Sequence, residues 1–368
     1  METSERKDKK EFFEKYSSNT LAGSGNQSVF CPKSQDGLNV GRVFFKIYHG
    51  GRYNYSFLFT NIIDSTYSDG KISRCNFVCD DFYIEYIRVG VCRECSPDHM
   101  PDVALVNVTL KVANSRQLSS GEFFFTDETE LDAQTGEYIC VEIAFRGRTV
   151  PYHPESVLPA FVLSDGEWIV STHLPFPSMI GCDRNVGLRI AYLGDSITQG
   201  IGVPYNSYKH WNALLSDMLS FDNAYWNLGL GYARASDAAS DGAWLFKAKQ
   251  NDLVIVCLGV NDILMGRSAE EIIKDLSLIC KNLKQVGIKT VFQTIPPFDY
   301  SERQKEVFFA VNEYIRKEIS RQCPVFDNVP YLCDALRGEH TAKYCSHPNE
   351  EGSRVWAEAF FRFLNNIL

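Results

Sequence analysis

The chain has no long apolar run: its longest, near residues 253–260, is far short of the roughly 18–20 residues that a membrane span needs. No run of Lys and Arg is long enough to make a basic patch, and the overall balance is acidic, 37 basic against 46 acidic side chains for a formal charge of −9. Such a chain repels phosphate backbones, so a nucleic acid is not an expected partner. The opening Met-Glu-Thr-Ser-Glu-Arg-Lys-Asp-Lys-Lys lacks the apolar core of a secretory signal. A cytoplasmic protein without a membrane partner is therefore expected. Internal repeats and low-complexity tracts are also missing.

At 368 residues and 45% hydrophobic composition, the chain is long enough for two domains, each with its own core. The twelve cysteines of a cytoplasmic protein are expected to stay reduced. Four of them, Cys75-x3-Cys79 and Cys92-x2-Cys95, could be a four-thiolate zinc site or free thiols in and beside strands. Strand alternation does not bring four sulfurs together, so the second reading is preferred and no metal is expected.

Periodicity divides the sequence. Residues 1–28 are polar at first and then Ser/Gly/Asn-rich, and read as a flexible or helical arm. Across 29–180 the apolar pattern is short and often alternating, with strands expected at 42–48, 53–60, 82–91, 103–112, 122–126, 138–145 and 168–172. This argues for an antiparallel β-sandwich or jelly roll. From 185 to 368 strands at 188–193, 224–227, 253–258, 290–294 and 325–326 alternate with helices at 207–219, 235–247, 269–286, 302–321 and 349–368. That alternation predicts an α/β domain with a parallel sheet and functional loops at the strands' C-terminal ends. The boundary is expected within 175–185, which is punctuated by Pro and Gly.

The chemistry concentrates where those strands end. Gly194-Asp195-Ser196-Ile197-Thr198 follows the first of them, and a serine there is exposed at the sheet edge. Asp195 or Ser196 could instead merely cap the next helix. Asn261, in Gly259-Val260-Asn261-Asp262, follows another strand and can offer an amide N–H to an oxyanion. Asn227-Leu228-Gly229-Leu230-Gly231 ends a third, where glycine lets backbone N–H groups approach a substrate. His347, before a helix cap at Asn349, is the histidine best placed to reach the same edge. Asp195 and Asp262 read as supporting hydrogen-bond groups.

These blocks resemble those of the SGNH, or GDSL-like, hydrolase superfamily over residues 185–368. The resemblance implies a three-layer α/β/α esterase without a metal or organic cofactor, with Ser196 as nucleophile and His347 as base. The oxyanion donors would be the Ser196 and Gly231 N–H groups and the Asn261 amide. Two departures stand out. Tyr344 occupies the place of the family's Asp three residues before the histidine, so a Ser-His dyad completed by a carbonyl is expected, with Asp334 or Glu339 as other possible partners. The block-two glycine normally lies five residues after the Asn, at Tyr232 here, whereas Gly231 is one short.

Tyr205, Trp226 and Tyr344, with Tyr208 and Phe298 also near the predicted edge, are candidate substrate-binding residues, since aromatic rings can stack on sugars, although Trp226 and Phe298 are equally plausible as core. A sandwich before such a domain is similar in layout to carbohydrate esterase family two, which points to an O-acetylesterase acting on imported oligosaccharides. A lysophospholipase or thioesterase, and a decayed glycan-binding protein, are the alternatives. A homodimer is compatible with the sequence.

Overall fold

The computed structural model describes residues 4–23, 25–32, 37–65, 74–219 and 222–368. The chain divides into two compact units. One comprises Met1–Asp64, Asn76–Val186 and Ala224–Trp226; the other comprises Ser65–Cys75, Gly187–Asn223 and Asn227–Leu368.

The first unit is built on antiparallel pairing. Strand Tyr138–Gly147 lies between Asn39–Lys46 and Phe82–Cys92, and Ile143 faces Gly41 on one side and Ile87 on the other. Its first eight residues are buried, as expected of a strand paired along both edges. The sheet runs Glu167–Val170, Ala160–Ser164, Asn39–Lys46, Tyr138–Gly147, Phe82–Cys92, Val106–Val108, with Arg116–Leu118 also pairing to Phe82–Cys92. A second sheet runs Ser17–Ser18, Met179–Cys182, Gly51–Thr60, Phe123–Phe125, and Thr129–Ala133 joins it at Gly51–Thr60. The amino-terminal segment is not a loose arm. Helix Ser4–Lys15 buries Phe12 and Phe13, and the Phe12 ring centroid lies 4.2 Å from that of Phe125.

The second unit carries the α/β pattern. Its sheet has the order Asn223–Gly229, Leu188–Gly194, Leu253–Cys257, Lys289–Gln293, Val325–Phe326. The last four strands pair in parallel. Numbered along the chain this order is 2-1-3-4-5, which reverses direction between the first and third strands. Loops leaving the C-terminal ends of those two strands diverge and leave a crevice. Helices Trp211–Met218, Ala269–Gln285, Glu302–Lys317 and Glu350–Leu364 connect or follow the strands. The helix expected over 235–247 is two shorter ones, Ala235–Ala239 and Ala243–Ala248. Gly242 caps the second of them. Among the described residues no helix is long and apolar enough to cross a membrane.

Candidate active site

The crevice at the switch point is formed by the turns after Gly194 and Cys257. Gly194 must be glycine: a Cβ there would lie 2.0 Å from Thr198 Oγ1 and 2.8 Å from the Cys257 carbonyl oxygen. The tight turn lets helix Ser196–Gln199 begin at once. Asp195 caps it, its carboxylate accepting the Ile197 N–H at 3.0 Å. Ser196 thus stands at the first helical position. Its Oγ lies 2.8 Å from His347 Nε2.

His347 precedes helix Glu350–Leu364, which Asn349 caps by accepting the Gly352 N–H at 3.0 Å. A Cβ on Gly202, whose φ is +109°, would lie 2.8 Å from the carbonyl oxygens of His347 and Pro348. The segment after the serine turn therefore packs directly on the histidine's backbone. The Phe298 ring meets the imidazole edge to face at 5.2 Å. Burial lowers the His347 pKa and is its only perturbing cause. Asp334 accepts the Leu336 N–H in its own hairpin at 3.1 Å. A depressed pKa keeps the imidazole neutral near neutral pH, the form that can accept a proton from serine.

Asn261 lies in helix Val260–Leu264, entered through Gly259 at φ +130°. Its side-chain amide donates to the Ala233 carbonyl at 2.9 Å, which holds the group in place and uses one of its two N–H bonds. Asp262 accepts the Ala235 N–H at 2.8 Å and pairs with Arg267, which also reaches Asp275 at 2.7 Å. Burial raises the pKa of Asp262 despite the guanidinium. Burial, aided by the charge of Asp262 and opposed by the Ile197 N–H, pushes Asp195 up to about 7.

The loop after Asn227 differs from the expectation. The Gly231 N–H is taken by Gln199 Oε1 at 2.6 Å, so Gly231 does not present its donor to the crevice. The N–H groups of Leu230, Ala233, Arg234 and Ala235 are likewise committed, to Gly194, Leu230, Asp237 and Asp262. Between them Tyr232 has φ +60°, a left-handed conformation that is an outlier for a bulky residue. It falls five residues after Asn227, and that spacing was the sequence signal for it. No comparable signal marked Gln199 or Arg267.

The aromatic candidates separate. Trp226 is buried, its indole N–H donating to the Ser178 carbonyl at 3.1 Å and its ring stacked with Phe13, so it is a core residue. Tyr344 is also buried and packs on Gly352, where a Cβ would come within 2.5 Å of its own. Both anchor structure rather than face a substrate. Tyr205 is 42% exposed in the loop following the serine turn. Phe298, beside the imidazole, is the aromatic that the structure brings to the site. Among the described residues no group of three or more His, Cys, Asp or Glu can hold a metal, so the Cys75, Cys79, Cys92 and Cys95 pattern is not gathered into a zinc site.

Residues 192–355 match the model of the GDSL-like lipase/acylhydrolase family. No curated protein matches the chain. Among solved structures, a lipolytic G-D-S-L family protein from Veillonella parvula is 23% identical, with a TM-score of 0.41, covering 49% of this chain and 99% of its own. A carbohydrate esterase family 3 structure from Talaromyces cellulolyticus is 20% identical, with a TM-score of 0.36, covering 49% and 97%. The psychrotrophic esterase EstA from Pseudoalteromonas is 17% identical, with a TM-score of 0.39, covering 48% and 97%. With the serine, asparagine and histidine blocks lying inside the matched segment, residues 192–355 are a domain of the GDSL-like lipase/acylhydrolase family.

Proposed function

We propose that this protein is a serine esterase that removes acetyl groups from carbohydrates, through a Ser196–His347 dyad and an acyl-enzyme. The observation that carries the reading is the 2.8 Å contact between Ser196 Oγ and His347 Nε2 at the switch-point crevice. His347 takes the serine proton as Oγ attacks the ester carbonyl, then returns it to the leaving alcohol. Water attacks the acyl-enzyme with the same imidazole as base. Asn261 and the Ser196 N–H hold the oxyanion.

The third donor in this mechanism is the Tyr232 N–H, in place of Gly231. The support is its left-handed backbone and its spacing five residues after Asn227, with the Gly231 N–H bound to Gln199. A dyad rather than a triad is supported by the single cause, burial, acting on His347. For a carbohydrate, the support is Phe298 against the imidazole and the exposed Tyr205, two flat apolar faces of the kind sugars stack on.

The test is acetate release from p-nitrophenyl acetate and from acetylated xylo- and manno-oligosaccharides, by the wild type and Ser196→Ala. Turnover on the sugars that vanishes in the variant is expected. Untouched sugars with rapid turnover of longer acyl esters or thioesters would transfer the assignment to a lipid or thioester hydrolase. Sugar binding by a folded protein with no ester turnover would make it a glycan-binding protein.

A further inference from the structure

At the opposite end of the sheet from Ser196, the amino-terminal ends of strands Leu253–Cys257 and Lys289–Gln293 border a cavity of about 240 Å³. Two cysteines line it: Cys280 from helix Ala269–Gln285, and Cys323, which follows the turn Ile319–Arg321. Two thiols are thus brought to one cavity wall. Cys280 Sγ also lies 3.9 Å from the side-chain oxygen of Gln322, the residue before Cys323. Lys284, one helical turn beyond Cys280, lines the same cavity together with Lys289.

We propose that Cys280 and Cys323 form a dithiol reaction site, open to small oxidants through this cavity, that hydrogen peroxide converts to a disulfide. Cys280 Sγ attacks one peroxide oxygen, the O–O bond breaks, and one water leaves, so that Cys280 carries a sulfenic acid. Cys323 Sγ then attacks Cys280 Sγ, the S–O bond breaks, and the hydroxide leaves with the Cys323 proton as a second water. Two thiols are oxidised and one peroxide is reduced.

Three features favour this pair over the other cysteines. Both cysteines line one cavity, and Cys280 Sγ already reaches the side chain of the residue before Cys323. Cys323 and the charge of Lys284 pull the Cys280 thiol down to about 7, against burial, and a thiolate is the reactive form. Cys280 is only 2% exposed, which shields its sulfur from capping by bulky thiols.

The experiment treats the full chain with hydrogen peroxide, alkylates the remaining thiols and maps the peptides, with exposed Cys31 and Cys345 as internal references. The expected result is a Cys280–Cys323 linked peptide that dithiothreitol reverses. In Cys323→Ser, dimedone should trap a sulfenic acid on Cys280. Cys280 and Cys323 both recovered as alkylated thiols while Cys31 and Cys345 oxidise would overturn the proposal, and so would either cysteine linked to a different partner. The wild-type map decides the matter without the variant, and none of these readouts depends on ester turnover.

Discussion

The two sides of the candidate site are held very differently. On the serine and asparagine side, side chains are buried and bonded to backbone: Gln199 to the Gly231 N–H, Asn227 to the Thr198 carbonyl, Asn261 to the Ala233 carbonyl, Asp262 to the Ala235 N–H. On the histidine side, beyond the Asn349 cap, side-chain ties lie at the surface. Ser346 Oγ donates to exposed Asp299 at 3.2 Å, and exposed Lys209 pairs with Glu350 at 2.9 Å. Surface ion pairs of this kind contribute little, typically about 0–1 kcal/mol. The lesson is that the serine and asparagine side is held by buried side-chain bonds to backbone, whereas His347 is held by burial and packing.

The sharpest way to break that contrast is to remove the nucleophile contact itself. Ser196→Ala should lower kcat on p-nitrophenyl acetate by about 10⁴-fold or more. Next comes the stapled side: Asn261→Ala should cost about 10²–10³-fold in kcat, because an oxyanion donor acts in the transition state. KM should change little, and a loss confined to KM would remove Asn261 from the oxyanion role. Tyr232 gives a finer cut. Tyr232→Gly keeps both the N–H and the left-handed backbone and should retain turnover within about threefold, whereas Tyr232→Val, a β-branched residue disfavoured at positive φ, should lose about tenfold. Equal losses in the two variants would argue for a side-chain role instead.

On the looser side, Lys209→Ala should change kcat/KM by less than about threefold, the effect of an exposed pair. A large loss would mean that the histidine side is as firmly tied as the other. The pH profile separates the sides again. Burial favours neutral His347, so the acid limb of kcat/KM should have its midpoint below the ordinary 6.5. Asp195 moves the other way, from an ordinary 3.8 to about 7. The folded protein keeps that proton where the unfolded chain has released it, so stability should fall as pH rises from about 4 to 7. Asp195→Asn should flatten this slope in denaturant titrations, without the large kcat loss of Asn261→Ala.

Much of this was legible beforehand where local pattern decides structure. The short apolar runs 188–193, 253–258 and 290–294 read as strands, and the structure places strands at Leu188–Gly194, Leu253–Cys257 and Lys289–Gln293. Ser196, Asn261 and His347 could then be placed at strand ends or a helix start. The failures arose from contacts distant in sequence. Gly231 looked like a donor because glycine permits close approach, but Gln199, 32 positions earlier, occupies its N–H. Trp226 alternates with neither face of its strand because the whole of Asn223–Gly229 is buried, so exposure could not be inferred from periodicity. Tyr344 was credited with a substrate role because aromatic rings can stack on sugars, whereas it packs against Gly352. Strand order was equally invisible, since it depends on which crossovers pack on which face.

Asn261 and Asp262, adjacent in sequence, grip the carbonyl of Ala233 and the N–H of Ala235, which flank a single residue. The loop and the amide are thereby mechanically one part, and strain applied to either is transmitted to the other. Their energetic contributions should then be strongly coupled: a double-mutant cycle between Asn261→Ala and Asp262→Asn would return much less than the sum of the single losses. In evolutionary terms, neither position can drift alone, because the first substitution forfeits most of what the second protects.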